Sequence, residues 1–353
     1  MNTKSVDAIA NAVLYEGYML YPYRPSSVKN RQRFNFGVLY PKSYSDTQTG
    51  SDVCSMQTEC LVSGSAFSAV EIRVRFLKLV DRSVRKLIEP MQALEGAPAF
   101  EPVPLLEVEG RVFASWQEAI ECEVTVPACN LDALCATPLE WNFTFPATED
   151  TELLRDSKSQ LVGLITKKQE RIQGAAEITA TPVTDGLFKV QVRVKNLTLL
   201  EDQYVQTSRD AALMRSLVST HILLGVVDGQ FISLLEPPDN LKDLATSCQN
   251  FGAWPVLVGA EGARDTMLAS PIILYDYPQI APESPGDLFD GTEIDEILAL
   301  RILTMTDDEK REMRSTDERA RKMLARTETL RMEHLMKLHG TLRELRSLKE
   351  KMP

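Results

Sequence analysis

The residues best suited to chemistry in this chain are carboxylates that crowd one proline-rich segment. Residues 276–296 contain seven acidic side chains and no Lys or Arg, while three prolines and Gly286 interrupt regular structure. These side chains offer only oxygen ligands, which suit Mg²⁺ or Ca²⁺. The spacing of the carboxylates, however, matches no EF-hand or other known metal motif. Three uses stay open: helix capping with solvation, a partner surface, and a metal site that includes Asp287, Asp290 and Glu293. As a partner surface, the candidate residues are Tyr275, Asp276, Tyr277, Pro278, Glu283, Asp287 and Asp290.

The six cysteines form a second group of potential ligands. They follow C-x5-C and C-x6-C-x5-C spacings and contain no CxxC pair, so the pattern does not support ordinary zinc ligation. Six thiols are also too few for a disulfide framework in a chain of 353 residues. Buried or free thiols are the favoured interpretation. A metal or iron–sulfur site at Cys122, Cys129 and Cys135 is the alternative.

Signatures of catalysis are absent from the sequence. There is no G-x-S-x-G nucleophile motif, no P-loop and no G-x-G-x-x-G. His221 lies within the apolar run SLVSTHILLGVV, which indicates a core or edge histidine rather than a general base. We therefore predict a non-enzymatic protein without a cofactor. The alternative is a divalent-metal-dependent hydrolase that uses the carboxylates of residues 276–296.

Composition and charge narrow the classes of partner. The formal net charge of −11 argues against nucleic acid, because phosphate repels a net anion at long range. The sequence contains no run of eighteen apolar residues, so we expect no helix inserted in a membrane. The first twenty residues lack the pattern of a signal peptide. We expect a cytoplasmic protein with a protein partner.

Alternating patterns predict the fold class. Residues 70–76 and 188–195 alternate apolar and polar side chains without interruption, which is typical of strands with one buried face. We predict an α+β, mainly β protein with antiparallel, sandwich-like sheets, either as one unit or as two related halves, and a helical C-terminal extension. The predicted regions are 1–148, 149–290 and 291–353. Less regular stretches predict a helix over 81–92, a strand over 272–275 and a connecting segment over 146–152.

The C-terminal region carries helix signals and a leucine seam. Thr306, followed by Asp307, Asp308 and Glu309, predicts a capped helix N-terminus. Further on, leucines recur every three or four residues, as in a short coiled coil. The seam would bind a partner helix or a second copy of the chain; its candidate residues are Leu335, Leu338, Leu342 and Leu345.

Several long runs point to a known group of proteins. The sequence contains LYEGYMLYPYRPSSVKNRQRFNFGVLYP, MQTECLV, WPVLVG, SPIILYDYPQIAPESPGDLFDGTEIDEILALRILTMTDDEK and STDERARKML. In these runs it resembles an uncharacterised bacterial family encoded beside nickel–iron uptake hydrogenases and their maturation factors. The resemblance covers residues 5–325 and does not extend to the leucine seam.

The resemblance implies a role rather than a reaction. It suggests an accessory or assembly protein that binds a hydrogenase subunit, a maturation factor or an electron-transfer partner. The family has no assigned catalytic residues, so the resemblance assigns none to this chain.

Overall fold

Antiparallel strands dominate the structure, a computed structural model that describes residues 3–15, 36–50, 52–91, 98–200, 208–279, 299–316 and 318–329. This architecture confirms the predicted fold class, mainly β with helices at the C-terminus. The strands are β1 (Ser55–Met91), β2 (Phe100–Val103), β3 (Leu105–Val108), β4 (Arg111–Ala114), β5 (Trp116–Asn130), β6 (Leu139–Phe145), β7 (Thr148–Arg155), β8 (Leu161–Gln169), β9 (Ile172–Thr184), β10 (Leu187–Asn196), β11 (Val218–Ile232), β12 (Trp254–Leu257) and β13 (Thr266–Ser270).

The helices are short, and they lie before, between and after the strands. None within the described ranges is long and apolar enough to cross a membrane. They are α1 (Thr3–Leu14), α2 (Lys42–Ser45), α3 (Leu131–Ala136), α4 (Arg209–Leu213), α5 (Lys242–Thr246), α6 (Asp307–Ser315) and α7 (Glu318–Glu328), with further helical residues at 299–303.

The long strand β1 organises the main sheet. Along one side it pairs in turn with β10, β5 and β2, and along the other with β11 and β8, all antiparallel. The sheet continues from β10 to β9 and β6, and from β11 to β13 and β12, while β7 pairs with β8 and a separate hairpin joins β3 to β4. Strands from both sides of residue 148 therefore share one hydrogen-bonded sheet.

The largest of several buried apolar clusters lies on the main sheet. Side chains from β1, β5, β9, β10 and β11 meet in it, and Leu131 and Leu134 of α3 fill the space between β5 and β9. Phe76 is fully buried there, with its ring centroid 5.3 Å from that of Phe145 in an edge-to-face arrangement. A Cβ added at Gly174 would overlap the ring of Phe143, which shows how closely the aromatic cluster is packed.

Three local predictions are wrong, each for a physical reason. Residues 81–91 continue β1 instead of forming a helix, because pairing with β8 and β2 satisfies their backbone groups. Residues 148–155 form β7 on the edge of β8. The chain leaves the sheet at Ser270, one residue before Pro271, so the segment 272–275 is not a strand.

The helix signal at Thr306 is confirmed. The Thr306 hydroxyl accepts a hydrogen bond from the Glu309 N–H at 3.2 Å, and the Glu309 carboxylate accepts one from the Thr306 N–H at 2.9 Å. The resulting helix α6 packs with α7 around Met313 and Leu324, and it contacts β4. The two helices are thereby held against the β3–β4 hairpin.

Candidate protein-binding site

Residues 275–278 form a turn that lies beside the edge strand β12. We refer to it as the 275–278 turn. Leu274, immediately before it, is buried with Val256 and Leu268 in a cluster that also contains residues of α1. This packing fixes where the turn begins, so its following side chains are displayed from a defined position.

Asp276 fastens the turn to two strand ends. One of its carboxylate oxygens accepts a hydrogen bond from the Leu257 N–H at 2.7 Å, and the other accepts one from the Ser233 hydroxyl. The Ser233 oxygen in turn accepts hydrogen bonds from the N–H groups of Leu235 and Glu236, at 3.1 and 2.8 Å. Asp276 is thus an internal anchor that joins the end of β11 to the end of β12.

Tyr277 completes the attachment. Its N–H donates to the Leu257 carbonyl at 2.7 Å, and its hydroxyl donates to the Ala263 carbonyl at 3.0 Å. Its φ of 55° lies in the left-handed region, which costs a non-glycine residue about 1–2 kcal/mol. The hydrogen bonds offset that cost, and they cover backbone groups at the edge of β12 that another strand could otherwise bind.

A groove of about 500 Å³ lies along the turn. All four residues 275–278 line it, together with Leu235, Leu257 and polar residues that include Glu236, Glu261 and Arg264. Tyr275 is 86% exposed and Leu235 is 50% exposed, so an aromatic and an aliphatic side chain are both accessible at this groove. The arrangement can bind an extended segment of another protein.

Several candidate residues lie outside the described ranges. These are Glu283, Asp287, Asp290 and Glu293 of the acidic segment, and Leu335, Leu338, Leu342 and Leu345 of the leucine seam. The structure therefore places only the first four residues of the predicted partner surface.

The three candidate cysteines do not assemble a metal centre in the structure as described. No group of three His, Cys, Asp or Glu side chains that could hold a metal ion occurs among the described residues. Burial raises the pKa of Cys122 to about 11 and also raises those of Cys129 and Cys135, which disfavours the thiolate that binds metals. All three pack against the main core.

His221 is a core residue, as its sequence context indicated. It is fully buried on β11, and its Nδ1 lies 2.7 Å from the Ser219 carbonyl. Burial lowers the pKa of the ring to about 4, and the nearby Arg75 guanidinium acts in the same direction. Because its Nε2 has no hydrogen-bond partner within the described residues, protonation there would be uncompensated.

The sequence singled out residues 275–278 as part of a candidate partner surface, but it gave neither their turn nor the residues that hold it. Ser233, Leu235 and Leu257 are separated from Asp276 by 19 or more positions, and only the pairing of β11, β12 and β13 brings them together.

No protein-family model, curated protein or solved structure matches the chain.

Proposed function

We propose that this chain is a non-catalytic accessory or assembly protein of the cytoplasm that binds another protein through the groove at the 275–278 turn. The observation that supports the proposal is the 86% exposed Tyr275, displayed on a turn that Asp276 and Tyr277 fasten from within. A nickel–iron hydrogenase subunit or maturation factor is the expected partner, because of the family resemblance in the sequence.

The physical argument for binding concerns the cost of ordering. A tyrosine on a flexible loop loses conformational freedom when it binds, whereas the backbone of this turn is already fixed by hydrogen bonds to Leu257 and Ala263. Aromatic anchors next to aliphatic side chains often carry most of the free energy of an interface. Tyr275 and Leu235 meet that description.

The charges at the groove indicate the chemistry of the partner segment. Glu236, Glu261 and Asp276 line the groove with one arginine, Arg264. Since Asp276 is engaged within the turn, the glutamates are the acidic groups closest to an incoming chain. A segment with an apolar side chain for Leu235 and Tyr275, flanked by basic residues, suits this lining.

We expect the double variant Tyr275→Ser and Leu235→Ser to lose partner capture by at least about tenfold, because truncating interface anchors costs about 2 kcal/mol or more. The measurement is affinity purification at native expression from the host, with quantitative identification of co-purified proteins. The matched control is Phe67→Ser, which removes an aromatic side chain of similar exposure, 84%, that does not line the groove.

Two results would contradict the proposal. One is recovery of no hydrogenase component with the wild-type chain, together with normal hydrogenase activity in a deletion strain. The other is equal loss of capture in the double variant and the Phe67→Ser control.

The metal-dependent hydrolase remains the alternative from the sequence. Its carboxylates beyond Asp276 lie outside the described residues, and both Asp276 oxygens are occupied by hydrogen bonds. Elemental analysis of the purified chain, with thermal-shift titrations of Mg²⁺, Mn²⁺ and Ca²⁺, tests it directly.

A further inference from the structure

A second cleft, of about 590 Å³, lies between the main sheet, the β3–β4 hairpin and the C-terminal helices. Its floor includes Ile165 of β8 and Phe113 of β4, and helices α6 and α7 contribute to its wall. This is the size range of small-molecule sites. The cleft is separate from the groove at the 275–278 turn, because no residue lines both.

The residues that line this cleft are mainly positive, whereas the whole protein carries a net negative charge. Six cationic side chains line it against two carboxylates, Glu118 and Glu152, although the chain has a net charge of −11. A cleft lined mainly by one sign of charge concentrates the electric field and attracts ions of the opposite sign. The six cationic residues are Arg82, Arg111, Lys167, Arg311, Arg314 and Arg321.

Arg82 is the fixed member of this group. Its side chain is 9% exposed, and one guanidinium nitrogen contacts Glu118 at 3.3 Å and the backbone carbonyls of Ser315 and Thr316 at 3.2 and 2.5 Å. Its buried Nε has no hydrogen-bond partner among the described residues. Glu118 also pairs with Lys167 at 3.1 Å, so one carboxylate serves two cations.

Among the described residues, no carboxylate lies within ion-pair distance of Arg111 or Arg321; Glu318 interacts electrostatically with Arg321 but forms its ion pair with Lys322 at 2.7 Å. Arg111 is exposed on β4, with its guanidinium 5.3 Å from the centroid of the Phe113 ring. Arg321 extends from α7 and donates to the Arg314 carbonyl at 3.4 Å. Arg314, in contrast, is paired with Glu328 at 2.9 Å.

We propose that this cleft binds a small phosphorylated anion, with its phosphoryl oxygens contacting Arg111 and Arg321. Guanidinium groups match the geometry of oxyanions and form strong charge-assisted hydrogen bonds with them. A phosphoryl group offers three terminal oxygens, whereas a carboxylate offers two. A phosphoryl group can therefore accept hydrogen bonds from several directions, from Arg111 on the β3–β4 hairpin, from Arg321 on α7 and from the side of the cleft that holds Arg82.

The test is a calorimetric titration of the full chain with inorganic pyrophosphate at low salt, with citrate as a carboxylate of similar charge. Wild-type protein should bind pyrophosphate more tightly than citrate, and its affinity should fall as salt is added. The double variant Arg111→Gln and Arg321→Gln should bind pyrophosphate at least about tenfold more weakly, since each lost contact is a hydrogen bond to a charged group.

The matched control is Arg171→Gln, because Arg171 is an exposed arginine that does not line the cleft. It should bind pyrophosphate as the wild type does. Equal pyrophosphate affinity in the double variant and the wild type would overturn the site, as would the absence of binding by the wild type. Tighter binding of citrate would overturn the assignment to a phosphoryl group. Partner capture through Tyr275 should be unchanged in the double variant, so the two proposals can fail separately.

Discussion

Replacing Phe76 with alanine should lower the free energy of unfolding by about 3–5 kcal/mol. The ring is fully buried, and its centroid lies 5.3 Å from that of Phe145 and 6.2 Å from that of Phe143. Its removal leaves a cavity and deletes two aromatic contacts at the point where β1 faces β6 across the core. Denaturant unfolding monitored by circular dichroism measures the change.

The control for this prediction lies on the same strand. Phe67 is 84% exposed, so Phe67→Ala removes an identical side chain with little loss of buried surface. We expect a change within about 0.5 kcal/mol for that variant. Similar losses in both variants would show that the Phe76 cluster does not hold the sheet together as described.

The second large effect should appear as a dependence of stability on pH. In the folded chain His221 stays neutral down to a pKa of about 4, whereas in the unfolded chain its pKa returns to about 6.5. The unfolded state therefore binds more protons between these values, and stability falls as the pH falls. Relative to a His221→Leu variant, the wild type should lose about 3 kcal/mol of unfolding free energy from pH 7 to pH 4.

Comparison with that variant isolates the histidine, because all other titrating groups are shared. Denaturant unfolding of both proteins at several pH values gives the difference directly. If the gap between them does not change from pH 7 to pH 4, then His221 takes up a proton without leaving the core, and the interpretation of a buried neutral ring is wrong.

The strands with strict alternation were predictable because the cause is local. Val70, Ile72 and Val74 lie on one face of β1, and a period of two along the chain suffices to predict a half-buried strand. Residues 81–91 have no such regular pattern, and their strand exists because β8 and β2 supply pairing partners from 13 or more positions away. The sequence pattern within residues 81–91 does not contain information about these distant pairing strands.

The same contrast applies to the two candidate sites. The sequence by itself determined a mainly β antiparallel fold and a capped helix at Thr306, since each follows from neighbouring residues. Only the tertiary structure decided that Asp276 faces inward while Tyr275 faces outward, and that Arg82, Arg111 and Arg321 line one cleft. Strand pairing and helix packing join residues that are far apart in the chain, and no spacing along the sequence encodes that proximity.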